Sequence, residues 1–236
     1  MTLEAGIIAA GEGSRLAKSR PGCVKPLVQV AGKPLIHWVV DGLQASGCRD
    51  ITVLTNSRGG AVGPYLSSSF PGLRFSFLSA DTASSFESFR LVCLNLAGKS
   101  DSFIVSTVDA LITPADVSRF IRGCLAAKAD AGLALTRFVD DEKPLWADVD
   151  EAGLVAALGP DAKVRRAVTC GLYYMTRAAA ERLPDAAAHG RLRDFLTTLV
   201  ASDARVAGVI LSKTLDVDRP EDLAAAGNFL TSETRR

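Results

Sequence analysis

A chain of 236 residues, 48 % hydrophobic and 22 % charged, is long enough to bury a substantial core and lies in the range where α/β proteins are commonly one domain. Its 27 basic and 26 acidic residues give a net charge of +1 with no long run of either sign, so it lacks the electrostatic footprint of a nucleic-acid or membrane binder, and small anionic ligands fit better. Cys23, Cys48, Cys93, Cys124 and Cys170 are scattered without CxxC spacing, which argues against a disulfide framework and a zinc site. With no basic segment at Met1–Ala5 and no apolar run of membrane length, a cytoplasmic protein with free thiols is expected.

Taken in chain order, Ala5 to Ala9 reads as an apolar strand that runs straight into a glycine-rich loop. A helix follows near Leu35 to Ala45, stopped at Gly47, then strands at Ile51 to Thr55 and Phe75 to Leu78. Next come a helix from Ser85 to Leu96, a strand from Phe103 to Val108, and a helix opened by Thr113-Pro114-Ala115-Asp116. This alternation builds a parallel sheet. Beyond Ala131 the texture changes to short strands at Gly132 to Arg137, Trp146 to Val149 and Leu154 to Leu158, the last two joined by a turn at Asp150 to Gly153. The expected fold is α/β: a single Rossmann-like domain over residues 1–236, with a mixed, mostly parallel sheet flanked by helices and a smaller β portion from about residue 131.

The loop Gly11-Glu12-Gly13-Ser14-Arg15-Leu16, followed by Lys25-Pro26, carries the chemistry. Gly11 and Gly13 let the backbone turn sharply and aim N–H groups at phosphate oxygens, and Arg15 and Lys25 supply charge to hold them. Ala9, Ala10, Gly11, Glu12, Gly13 and Ser14 are therefore candidate nucleotide-binding residues. Leu16 stands where a dinucleotide fingerprint needs its third glycine, and no Gly-Lys-Ser/Thr follows at P-loop spacing, so a Rossmann dehydrogenase and a Walker ATPase are both disfavoured.

From Ile7 to Leu35 the sequence resembles the sugar-phosphate nucleotidylyltransferases and their MobA-like relatives, which share an Ala-Ala-Gly-x-Gly-x-Arg-Leu loop and a following Lys-Pro. The resemblance implies transfer of a nucleotide from an NTP to a sugar 1-phosphate or related phosphorylated polyol, with release of pyrophosphate and with Mg²⁺ as cofactor. An acceptor phosphate oxygen is already ionised at neutral pH and attacks the α-phosphorus in line, so the reaction needs positioning and charge neutralisation rather than a histidine base. Arg15 and Lys25 are then the catalytic cations, expected on the β and γ phosphates. His37 and His189 read as packing or surface residues.

Asp109 follows a strand at the sheet edge where ligands of open α/β folds bind, and its neighbours resemble the family's metal-binding Asp-x-Pro-Leu, with Ala110 and Ile112 as departures. Leu215 to Leu223 resembles the family's closing motif, which makes Asp216 the second metal ligand. Asp218 either shares the metal or caps the helix opening at Pro220. Ser84 and Ser85 stand where the family places a base-contacting turn, and they equally suit a helix cap. Val168 to Tyr174 resembles the acceptor strand, with Thr169 and Gly171 against the sugar. Lys163 holds about the position of the acceptor-phosphate lysine, which the order of segments favours over Lys143. The chain is thus read as a nucleotide-binding half (about 1–130) and an acceptor-binding half (about 131–236), with an NTP and a phosphorylated small molecule as partners and neither nucleic acid nor membrane. A molybdenum-cofactor-type guanylyltransferase and a non-catalytic nucleotide-sensing module remain as alternatives.

Overall fold

The computed structural model describes residues 3–13, 15–16, 22–139 and 143–234. In chain order it has β1 (Glu4–Ala9), the hairpin β2 (Gln29–Val30) and β3 (Lys33–Pro34), α1 (Leu35–Ala45), β4 (Asp50–Thr55), α2 (Val62–Ser69), β5 (Arg74–Ser79), α3 (Ser85–Ala97) and β6 (Ser102–Thr107). There follow β7 (Ala110–Ile112), α4 (Pro114–Ala126), β8 (Ala131–Thr136), β9 (Trp146–Val149), β10 (Val155–Leu158), β11 (Ala167–Thr176) and the short α5 (Arg177–Ala180). The chain closes with α6 (Leu192–Val200), β12 (Val206–Leu211), β13 (Thr214–Asp216) and α7 (Asp222–Thr234).

Among the described residues one sheet runs in the order β5-β4-β1-β6-β11-β8-β12, with β9 and β10 branching beside the start of β11. The strands β5, β4, β1 and β6 are parallel, and β11 returns antiparallel to both β6 and β8. The chain therefore leaves β1 toward β4 and β5, then comes back to place β6 on the other side of β1. That reversal opens a crevice at the carboxyl ends of β1 and β6, where α/β folds of this kind bind ligands. The Rossmann-like α/β fold expected from sequence is the one observed.

The parallel strands read as continuous apolar runs because helices cover both faces. Ile104 of β6 packs with Ile7, Val53, Val40 and Phe120 on one face, while its neighbours Phe103 and Val105 pack with Phe86, Phe89 and Val92 on the other. A third cluster positions the site: Leu16, Val30, Leu35, Leu111, Leu215, Val217, Ala226 and Phe229 fasten the glycine-rich loop to β7, β13 and α7. Helix starts follow their sequence signals, since Thr113 Oγ1 accepts the N–H of Asp116 at 3.2 Å with Pro114 as the first helical residue. The turn at 150–153 closes as expected, through the Asp150 N–H on Leu154 O at 2.9 Å.

Candidate active site

The loops after β1, β4 and β5 are tied together at the carboxyl edge. Asn56 Nδ2 donates to the carbonyl of Ala10 at 3.0 Å, Arg58 reaches the carbonyl of Glu12 at 3.4 Å, and the Ser57 N–H donates to the Asp81 carboxylate at 2.9 Å. Ala9 and Ala10 are buried, whereas Gly11 and Glu12 are exposed. Gly13 has φ +59°, and a Cβ there would stand 3.0 Å from the Cβ of Lys25, so both backbone and contact require glycine. A Cβ at Gly11 would meet nothing within 4 Å, which leaves the space above the loop open. Ser14 lies outside the described residues.

Lys25 is the charged centre of the site. It begins a 3-10 turn, Lys25–Leu27, and its side chain is only 7 % exposed. Its ammonium donates to Asp109 Oδ2 at 2.7 Å and to Asp218 Oδ1 at 2.6 Å, and Arg15 Nη1 donates to Asp218 Oδ2 at 3.3 Å. Burial alone would depress the Lys25 pKa, but the carboxylates of Asp109 and Asp218 overcome it and hold the ammonium above its ordinary value. For Asp109, burial pushes upward, yet Lys25 and a hydrogen bond from Thr107 bring its carboxyl below the usual range. Lys25 and Asp109 therefore hold each other in the charged state.

Asp109 lies in the two-residue turn between β6 and β7, and the antiparallel pairing of β7 with β13 sets Asp216 opposite Ala110. The Val217 N–H donates to the Asp109 carbonyl at 3.1 Å, which locks the two aspartate-bearing segments together. Val217 is fully buried while Asp216 is exposed and Asp218 half-buried, the alternation of an extended segment that sends both acids to one side. The capping alternative for Asp218 is not what the structure shows. Asp222 accepts the N–H groups of Asp218 at 2.8 Å and Arg219 at 2.7 Å, while Asp218 turns to the two cations. Charge-assisted bonds to ammonium and guanidinium outweigh one to a neutral N–H.

Two adjoining clefts open over these residues. One of about 280 Å³ is lined by Arg15, Phe138, Pro144 and Arg219, the other of about 190 Å³ by Thr107, Asp109, Gly171, Tyr173 and Arg193; Thr169, Asp216 and Asp218 line both. Thr169 and Gly171 are thus brought to the site. Gly171 falls where β11 shifts register against β8, and a Cβ there would overlap Thr107 Oγ1 and stand 2.8 Å from Ala110 Cβ. Its glycine is required by packing beneath the site, whatever lies above it.

Lys163 lines neither cleft. It sits exposed on a tip whose N–H groups, at Lys163, Val164 and Arg165, all end on the Asp148 carboxylate, and among the described residues its ammonium reaches only Pro160 O, at 3.5 Å. The cation that does line the smaller cleft is Arg193, in the first turn of α6, whose guanidinium donates to the Lys143 carbonyl. Sequence reasoning missed it. A signal existed, because a cation in a first helical turn opposes the helix dipole and so asks for another reason to be there.

Ser84 and Ser85 are engaged within the protein. Ser84 Oγ accepts the Glu87 N–H at 3.0 Å and Glu87 accepts the Ala83 N–H at 2.6 Å, a capping box, while Ser85 Oγ accepts the Leu192 N–H at 2.9 Å. Together they tie α3 to the start of α6. The histidines are packing residues, as read from sequence: His37 Nδ1 lies 2.8 Å from the Tyr65 hydroxyl, and His189 meets Phe86 and Phe195 edge-on. All five cysteines are free, and burial pushes the Cys170 thiol up, away from reactivity.

The family model of the MobA-like NTP transferase domain matches residues 5–203. The bifunctional IPC transferase and DIPP synthase of Rubrobacter xylanophilus is 29 % identical over 235 residues, covering 93 % of this chain and 50 % of the relative. The bifunctional protein GlmU of Sorangium cellulosum is 28 % identical over 232 residues, covering 91 % and 48 %. The chain spans about half the length of these curated relatives. Among solved structures, the inositol-1-phosphate CTP transferase from T. maritima superposes with a TM-score of 0.80 at 18 % identity, covering 98 % of this chain and 95 % of that one. A UDP-glucose pyrophosphorylase complexed with UDP-glucose gives 0.79 at 17 % identity, covering 99 % and 100 %. These likenesses establish a shared fold, and with a family model spanning the glycine-rich loop, Asp109 and β11, the chain belongs to the MobA-like NTP transferase domain family.

Proposed function

We propose that this chain is an Mg²⁺-dependent nucleotidyltransferase that joins an NTP to a sugar 1-phosphate or related phosphorylated polyol and releases pyrophosphate. The observation that carries the reading is the convergence of Arg15, Lys25, Asp109 and Asp218, with Asp216 alongside, from three distant segments onto the crevice between β1 and β6. An ionised oxygen of the acceptor phosphate attacks the α-phosphorus, and the bond to the bridging oxygen of the β-phosphate breaks in line. The loop from Ala9 to Gly13 and Arg15 hold the triphosphate, and the base lies toward Ala9, Ala10 and the Ser84–Ser85 turn. Lys25 keeps positive charge beside the leaving pyrophosphate.

Asp216 pairs with Ala110, the residue after Asp109, and the two carboxylates are hard-oxygen donors, which suits Mg²⁺, a cation that takes one or two carboxylates and completes its shell with water and phosphate. When bound, the ion would neutralise phosphate charge and orient the triphosphate. Among the described residues no group of three or more His, Cys, Asp or Glu side chains is placed to hold a metal ion, so in this reading water and substrate phosphates would complete the shell. On the acceptor side, Thr169 and Gly171 face the sugar or polyol, with Arg193 rather than Lys163 as its phosphate cation. In this reading residues 1–130 serve the nucleotide and 131–236 the acceptor. We place the activity in the cytoplasm, which five unbridged cysteines support, and no described helix is long and apolar enough to cross a membrane.

The test is a pyrophosphate-release screen of four NTPs against a panel of phosphorylated acceptors, starting with CTP and inositol 1-phosphate, the pair named for the T. maritima structure. Release that requires NTP, acceptor and Mg²⁺ together is expected. Thermal stabilisation by NTP without release from any acceptor would favour a nucleotide-sensing module.

A further inference from the structure

Asp218 is where the segment before α7 meets the phosphate loop. Its Oδ1 accepts from Lys25 at 2.6 Å and its Oδ2 from Arg15 at 3.3 Å, so each oxygen of one carboxylate is engaged by a cation from the chain after β1. The backbone on either side is fixed independently. Val217 is fully buried and bonded to the Asp109 carbonyl, and the N–H groups of Asp218 and Arg219 end on Asp222. Leu16, beside Arg15, lies in the same buried cluster as Leu215, Val217 and Phe229. The packing underneath therefore delivers Arg15 and Asp218 to each other, although their side chains are 55 % and 45 % exposed and the ion pair alone would be weak.

We propose that Asp218 is a positioning residue for the nucleotide: it holds Arg15 and Lys25 at the spacing that receives a triphosphate, and it is not a ligand of the metal. The proposal rests on the nucleotidyltransferase reading above. Both oxygens of Asp218 are engaged by cations, so a metal bound there would have to displace Lys25 or Arg15, whereas Asp109 meets Lys25 through Oδ2 alone and keeps its other oxygen clear of the two cations. The N–H groups of the turn before α7 are taken by Asp222, not by Asp218. What remains for Asp218 is to order Arg15, a long side chain with much rotamer freedom to lose, before the phosphates arrive.

The experiment compares the unaltered protein with Asp218→Asn, Asp218→Glu, Arg15→Gln and the Asn/Gln double variant. It reads NTP affinity by calorimetry without acceptor, and KM, kcat and the half-saturating Mg²⁺ concentration in pyrophosphate release. Asp218→Asn should weaken NTP binding and raise its KM about tenfold, the scale of one charge-assisted contact, with the Mg²⁺ requirement unchanged. Asp218→Glu should recover part of the affinity, and Asp218→Asn should add little once Arg15 is already Gln. A rise in Mg²⁺ requirement, tighter NTP binding, unchanged binding, a Glu variant no better than Asn, or full additivity with Arg15→Gln would each overturn the proposal. If the unaltered protein binds no NTP, both readings fall; if it binds and turns over NTP while Asp218→Asn is silent, this one falls alone.

Discussion

Lys25 shows how far a residue type and its spacing carry an argument. The motif places a cation after the glycine loop, but the carboxylates that hold it are 84 and 193 residues away, a distance no local pattern spans. The expectation of a phosphate clamp accordingly becomes that of a buried ammonium fixed between two acids. Lys25→Met should lower kcat at least about 100-fold through lost stabilisation of the leaving pyrophosphate. It should also cost roughly 3 kcal/mol of stability in denaturant unfolding, because Asp109 and Asp218 are left facing each other. Near-normal turnover in a folded Lys25→Met protein would remove Lys25 from the chemistry. His37 gives a pH test of the scaffold. Burial lowers its pKa from 6.5 although Asp41 pulls upward, so the unfolded chain takes up the proton first as pH falls. The stability His37 contributes is present above about pH 6.5 and is lost as pH drops through its lower native value. His37→Phe should flatten thermal stability against pH in that window without changing turnover.

At the scale of elements, caps and long apolar strands were legible because their signals are local: Thr113-Pro114 opens α4, Ser84 with Glu87 closes a capping box, and α1 spans the expected residues. The ladder of β7 and β13 was not, since three-residue strands are too short to show a period, yet it sets Asp216 beside Asp109. The order of segments also pointed to Lys163, whereas Asp148 gathers that tip onto its own carboxylate and α6 brings Arg193 instead. Ser84→Ala should cost about 1 kcal/mol in thermal unfolding as a lost cap. If its KM for the nucleotide rises as well, the turn also reads the base; if only stability changes, it does not. Gly171→Ala should destabilise by roughly 2 kcal/mol through overpacking, and, because it displaces Thr107 next to Asp109, it should lower turnover at saturating substrate.

At the scale of the whole molecule, the site exists because the sheet reverses direction at β1. The strand order that puts β6 beside β1 sets Asp109 against the glycine-rich loop and Lys25, and the third hydrophobic cluster draws the far end of the chain onto the same edge. That the fold was α/β followed from alternating strand and helix patterns, while the meeting of residues 15, 25, 109 and 218 required the assembled sheet. The central claim, a single Mg²⁺ held by Asp109 and Asp216 during nucleotidyl transfer, is tested most directly by initial rates of pyrophosphate release across a Mg²⁺ titration for the unaltered protein, Asp109→Asn, Asp216→Asn and the double variant. The account predicts that each single change lowers the rate and raises the Mg²⁺ requirement, and that the double change costs much less than the sum, because both residues act through one ion. Additive losses, or an unchanged Mg²⁺ requirement in Asp216→Asn, would contradict it.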